Sequence, residues 1–154
     1  MNLTEIAIVL ENSQDTESVR GCKEYLDRFG LRYETAVIEH LANPDDLADF
    51  VKKGTDRGIK IFIAVAGSAS GLASAIAART YLPVIGVPLE TTAAKGLDAL
   101  YSMIYLPEGT PVAAMGIGPS GARNAAILAA QILSFSDHHL RDRLLFFKQN
   151  GCRF

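Results

Sequence analysis

The fold this sequence predicts is a three-layer α/β/α sandwich around a flavodoxin-like, parallel five-stranded sheet. Three observations carry the prediction. Short apolar runs rich in β-branched residues alternate with segments of helical periodicity along the whole chain. The central run, 59–66, is apolar almost throughout, as a strand covered on both faces must be. The length of 154 residues, with 49% hydrophobic and 21% charged side chains, suits one globular domain over 1–154. Such a domain buries roughly 70% of its unfolded surface and needs no disulfide or metal staple.

The elements follow in order. Residues 6–10 make a short apolar first strand, stopped by the polar Glu11-Asn12-Ser13. Residues 15–29 read as a helix, because Val19, Cys22, Tyr25, Leu26 and Phe29 recur at helical spacing, and Gly30 ends it. Residues 33–38 form a second strand. Asn43 offers an N-cap, and Pro44 the first helical position, for a helix striped by Leu47, Phe50 and Val51 that ends near Gly54. The third strand, 59–66, runs into Gly67-Ser68-Ala69-Ser70-Gly71 and an alanine-rich helix to Arg79. Residues 83–88 make a fourth strand closed by Pro88. Residues 92–105 are mostly helical, Pro107-Glu108-Gly109 is a turn, and 112–117 is a fifth strand. A long helix runs from about Ser120 to Leu133, with Ile127, Leu128 and Ile132 apolar. Asp137 caps a last amphipathic helix, about 137–150, containing Leu140, Leu144 and Phe147.

Right-handed crossovers and the strand order 2-1-3-4-5 bring the loops after strands one and three face to face, with the loop after strand two beside them. Ligands bind at the carboxyl ends of such strands. The functional question therefore reduces to the loops 11–15, 39–44 and 67–71.

Composition narrows the classes. Net charge is −2, and no Lys/Arg run supplies the clustered cations that nucleic-acid binding needs. The first apolar run is too short for a signal peptide or a membrane span, so a cytoplasmic protein without a membrane partner is expected. Cys22 and Cys152 form no zinc or CxxC pattern and read as reduced thiols. Charge is uneven: residues 1–60 hold 20 of the 32 charged side chains, whereas 61–134 hold 6 of them and 17 of the 21 alanines. That half is either core or a surface covered by another subunit.

Several motifs admit plain readings. Gly116-Ile117-Gly118-Pro119-Ser120-Gly121 spells GxGxxG, but no further strand follows within the remaining 33 residues. A dinucleotide fingerprint needs one, so the motif reads as a tight strand-to-helix turn. The 67–71 loop lacks the GK[ST] of a P-loop. Its small residues fit either a close-packed turn or a loop whose amides, at Gly67, Ser68, Ser70 and Gly71, approach a ligand. Ser68 and Ser70 have no GxSxG elbow, and Ala66-Gly67 stand where a receiver domain has its aspartate. His138 and His139 read as solvated. His40 follows strand two at the ligand-binding edge, where Glu39 would orient it or hold it protonated as an acid–base pair. No spacing of His, Cys and carboxylates suggests a metal site.

Taken together, the chain resembles the class I PurE family, the N5-carboxyaminoimidazole ribonucleotide mutases, also known as aminoimidazole ribonucleotide carboxylases. The segments that carry the resemblance are 82–88 (LPVIGVP), 96–102 (GLDALYS), 106–113 (LPEGTPVA) and 116–133 (GIGPSGARNAAILAAQIL). The resemblance implies the three-layer fold, a homo-octamer with sites between subunits, a last helix packed on a neighbouring subunit, and carboxylate transfer on an aminoimidazole ribonucleotide without metal or organic cofactor. The site loops depart from it. The family's Gly-Ser-x-Ser-Asp loop, which holds phosphate and ribose, is here Glu11-Asn12-Ser13-Gln14-Asp15. Its Ser-Ala-His-Arg-Thr-Pro falls on Glu39-His40-Leu41-Ala42-Asn43-Pro44, so the catalytic His lands on Leu41 and the phosphate-binding Arg on Ala42. Its second His lands on Gly71. Three readings follow. The chain is a divergent enzyme using His40 and Glu39 on a ligand without phosphate, with or without a positive charge, and with Asp15 holding hydroxyls. Or it is a non-catalytic paralogue that binds or scaffolds an active copy. Or the family reaction survives through His40.

Overall fold

In the computed structural model, which describes residues 4–154, β1 (Ile6–Leu10) and β3 (Ile61–Ala66) form the middle of an all-parallel sheet. The order is β2-β1-β3-β4-β5, the flavodoxin-like order expected from the sequence. Ile6 pairs with Tyr33 of β2 (Tyr33–Val37) and with Ile61 of β3. Phe62 pairs with Val84 of β4 (Val84–Pro88), and Ile85 with Ala113 of β5 (Ala113–Ala114).

Side-chain alternation along the strands divides the interior in two. Ile6, Ile8 and Leu10 of β1, Ile61, Ile63 and Val65 of β3, and Ile85 and Val87 of β4 point to one face. There they meet α1 (Arg20–Phe29), α5 (Pro119–Leu133) and α6 (His138–Gln149). Ala7, Val9, Phe62, Ala64, Ala66 and Val84 point to the other face, against α2 (Pro44–Asp56), α3 (Leu72–Ala77) and α4 (Leu97–Ile104). The alanines concentrate where helices approach closely. Ala122, Ala125, Ala126, Ala129 and Ala130 form the buried stripe of α5, and bulky β-branched strand residues fill the space opposite.

Several elements differ from expectation, each for a local reason. Residues 15–29 are not one helix. A 3-10 helix (Ser13–Val19) precedes α1 and buries Asp15 and Val19. Helix α4 begins only at Leu97, because Lys95 and Gly96 both have positive φ, and Gly96 sits against the Leu89 carbonyl. Strand β5 spans two residues rather than six. Beyond it the backbone stays bonded to β4 irregularly, with Met115 N–H on Gly86 and Gly118 N–H on Pro88, each at 2.8 Å. Asn43 occupies the N-cap of α2 without a side-chain cap bond, whereas Asp137 caps α6 by accepting from Leu140 N–H at 3.0 Å. Helix α6 buries Leu140, Leu144 and Phe147 against its own chain and leaves Leu145 and Phe146 exposed. Phe154 closes over Tyr25, Phe29 and Phe147. Burial pushes the Cys22 thiol up to about 12, while Cys152 is exposed; the two are unpaired.

The GxGxxG segment is the tight turn its surroundings imply. Gly118 adopts φ 84° and ψ −158°, a region open only to glycine. Gly121, in the first turn of α5, packs on the Gly116 backbone so closely that a Cβ would lie 1.6 Å from the Gly116 carbonyl oxygen. Gly121→Ala is therefore expected to cost about 3 kcal/mol or more in chemical denaturation. Gly116→Ala, which meets nothing within 4 Å, is expected to change stability by less than about 1 kcal/mol. Equal losses in the two variants would refute the close-approach account.

Candidate functional site

The strand order places the carboxyl ends of β2, β1 and β3 side by side, so three loops converge over β1. Glu11, the first residue beyond β1, stays in the ladder through its N–H to the Val65 carbonyl at 3.3 Å. The residue is 7% exposed, and Oε2 accepts from Ser68 Oγ at 3.3 Å. His40, beyond β2, is 6% exposed. Its ring crosses over the end of β1 to the third loop: Nε2 lies 3.0 Å from the Ser70 carbonyl oxygen, and Nδ1 lies 3.9 Å from Glu11 Oε1.

That geometry fixes the tautomer by chemistry. A carbonyl oxygen only accepts, so Nε2 carries the proton and donates it to Ser70. Nδ1 is then the atom that gains or loses a proton. It is buried and has no hydrogen-bond partner among the described residues. When protonated, it faces the Glu11 carboxylate.

Sequence reading pairs Glu39 with His40; in the structure Ile38 and His40 are buried and Glu39 is exposed. Glu11, expected only as a ligand-binding residue, is the carboxylate that faces the ring. Asp15 is 5% exposed, and its Oδ2 has no hydrogen-bond partner among the described residues. Burial, then the nearby Glu11 charge, raises its pKa above the ordinary carboxylate value, and a hydrogen bond from the Asn12 backbone opposes them. Asn12 and Ser13 are exposed on the rim.

The third loop is a built element. Thr91 Oγ1 donates to the Gly67 carbonyl at 2.6 Å, and a Cβ on Gly67 would lie 2.0 Å from that oxygen. Gly71 starts α3 at φ 77°, with its carbonyl accepting from Ser74 Oγ at 2.7 Å. Ser70 Oγ accepts from Leu72 N–H at 3.4 Å, while its carbonyl holds His40. Thr91 escaped sequence reading, since nothing local marks a threonine beyond β4 as a clasp for a loop beyond β3. Leu41, 73% exposed, and Ala42 bring no polar side-chain atom to the site. Among the described residues, no group of three or more His, Cys, Asp or Glu is arranged to hold a metal ion. A cavity of about 520 Å³ lies at the opposite edge, by Tyr81, Pro83 and Pro111, with no carboxylate, imidazole or cation in its lining.

A family profile described as AIR carboxylase matches residues 5–152. The N5-carboxyaminoimidazole ribonucleotide mutase of Vibrio vulnificus (strain CMCP6) is 40% identical over 144 residues, covering 94% of this chain and 89% of that protein. The same-named protein of Bacillus subtilis (strain 168) is 40% identical over 139 residues, covering 90% and 86%. The crystal structure of Treponema denticola PurE superposes with a TM-score of 0.86 at 22% identity, covering 96% of this chain and 91% of that one, a likeness of fold.

The buried Asp15 carboxyl carries a stability cost with a defined pH window. Its pKa is raised on folding, so the folded chain holds the proton longer than the unfolded chain, and stability falls as pH rises above the ordinary value of 3.8. Asp15→Asn is expected to raise the melting temperature at pH 7, and the gain should shrink to nothing below about pH 4. Thermal melts of both proteins from pH 3.5 to 8 check this; an equal difference at both ends would contradict it.

Proposed function

Because the chain belongs to the AIR carboxylase family, we propose that it carries out carboxylate chemistry of the kind used in purine biosynthesis on a small aminoimidazole-like compound lacking a phosphate. In this reading His40 is the proton-transfer group, in place of the histidines that the family carries at the positions of Leu41 and Gly71. The observation that supports it best is the buried imidazole over β1, fixed through Nε2 on Ser70, with its free nitrogen facing the Glu11 carboxylate.

The chemistry follows from the substrate class. When a carboxylate leaves or joins a carbon of an electron-rich aminoimidazole, that carbon gains or loses a proton. Nδ1 would take or return it, and Glu11 would stabilise the imidazolium that forms. Such general acid–base help is worth about 100- to 10,000-fold. Nδ1 is shielded in this conformation, so a reacting atom reaches it only when the 39–43 turn or the 67–71 loop shifts. Asp15 would accept hydrogen bonds from ligand hydroxyls. Phosphate is disfavoured because Glu11, Asp15 and Glu39 are acidic and the loops 11–15, 39–44 and 67–71 contain no Lys or Arg.

The proposal includes a cytoplasmic homo-oligomer, an octamer by resemblance. Exposed Leu97, Tyr101, Ile104 and Tyr105 on one side of α4 support self-association. Among the described residues, no helix is long and apolar enough to cross a membrane. A second reading, a non-catalytic subunit that assembles with an active relative, is supported by a different observation: the packing turn at Gly116–Gly121 is intact while two site loops are rewritten.

The test is deuterium incorporation at the reacting ring carbon, followed by NMR in D₂O, for aminoimidazoles that carry hydrogen rather than carboxylate at that carbon, with and without the ribose phosphate. Exchange is expected with the unphosphorylated compounds, and His40→Gln should lower it by about 100-fold or more. No exchange with any compound favours the non-catalytic reading. Growth of a mutase-deficient strain on this gene would instead show that the family reaction survives.

A further inference from the structure

The three loops at the carboxyl edge carry an electrostatic feature that the acid–base reading leaves unused. Glu11 and Asp15 are both buried there, close enough for the Glu11 charge to act on Asp15, and the loops supply no Lys or Arg to balance them. His40 is the single group in those loops able to take a positive charge, and its Nε2 is committed to Ser70. Two buried polar atoms here, Asp15 Oδ2 and His40 Nδ1, have no hydrogen-bond partner among the described residues. Such atoms in native interiors nearly always find partners, so a pair of them beside one carboxylate points to a ligand.

We propose that this cluster at the carboxyl edge selects a ligand carrying an ammonium or amidinium group, held by Glu11 and Asp15. The inference rests on the reading that the carboxyl-edge site binds a small amino heterocycle, and it names that ligand's charge. In its ionised form the Asp15 carboxylate only accepts, so the group that satisfies Oδ2 must donate, and a cation there stabilises that form against the burial and Glu11 charge that oppose it. Glu11 Oε2 is engaged by Ser68, and Oε1 stands 3.9 Å from Nδ1, beyond direct hydrogen-bond length. An atom set beside that gap reaches hydrogen-bond distance of Oε1. An ammonium or amidinium group bears two or more N–H donors, enough in number for both Glu11 Oε1 and Asp15 Oδ2. A neutral amide supplies donors too, but it leaves two neighbouring carboxylates uncompensated in a buried site; a cation neutralises them. His40 Nδ1, buried without a partner among the described residues, is left for the heterocycle to engage.

Isothermal titration of the full chain in its assembled form tests this with four probes: 4-(aminomethyl)imidazole, imidazole-4-carboxamide, imidazole-4-carboxylate and aminoimidazole ribonucleotide. The aminomethyl compound is expected to bind at least about tenfold more tightly than the carboxamide. Glu11→Gln and Asp15→Asn should each weaken it about tenfold and leave the carboxamide unchanged, with far-UV circular dichroism confirming the fold of both variants. Binding of the carboxamide or the ribonucleotide as tightly as the cation overturns the proposal. So does cation affinity unchanged in both variants, or no binding of any probe up to about 10 mM. Ring-proton exchange lost in His40→Gln alongside charge-blind binding rejects this inference and keeps the acid–base reading. Charge-selective binding without exchange does the reverse.

Discussion

A parallel sheet must be covered on both faces, because its crossover connections lay helices on each side. In this chain β1, β3 and β4 are buried along their whole length. No side chain of those strands is left to meet a ligand in water. Chemistry is confined to the loops beyond their ends, and the common strand direction puts three of those loops at one edge. The order β2-β1-β3 then decides which loops can touch. Residue 40 and residue 70 meet because β1 alone separates their strands, and residue 11 lies beneath the contact because it ends β1.

The parts legible in the sequence are those fixed by that covering requirement. The continuous apolar runs give the strands, and their alternation with helical stripes gives the layers, while right-handed crossovers only narrow the strand order. The failures lie where backbone geometry depends on contacts distant in sequence. The late start of α4 follows from Gly96 pressing on Leu89 and Ile117, which no window around residue 96 contains. Asp15 sits inside a helical pattern, and the 3-10 turn that buries it packs on β1 and on α5, the latter distant in sequence. At the site, His40, Glu11, Ser68 and Ser70 were all legible as loop residues, and their mutual arrangement was not. Glu39 is exposed, and it is Glu11 that faces the ring of His40, a contact between loops distant in sequence. Thr91 belongs to a loop that sequence reading never joined to the site.

The two halves of the chain divide the work. The charge-poor half, rich in alanine and glycine, builds the close approaches: the α5 stripe, the Gly116–Gly121 turn and the Thr91–Gly67 clasp. The charge-rich half supplies the loops after β1 and β2. This separation explains how a site can change while its frame persists. Gly71, just before α3 at φ 77°, holds the third loop in a left-handed backbone that a residue with a Cβ would adopt at a cost of about 1–2 kcal/mol.

The brevity of β5 has a meaning outside the site. Edge strands with long rows of unpaired amides and carbonyls invite strands from other molecules. Here one edge presents only Ala113 and Ala114 before glycines bend the chain away, with the Met115 and Gly118 amides already bonded inward to Gly86 and Pro88. The opposite edge, β2, holds Glu34 in an ion pair with Arg57. A visiting strand finds too short a template at one side and charge at the other. The same glycine-rich turn that seats α5 thus leaves the sheet poorly suited to cross-β growth, and guards a hydrophobic, alanine-rich chain against aggregation through its backbone.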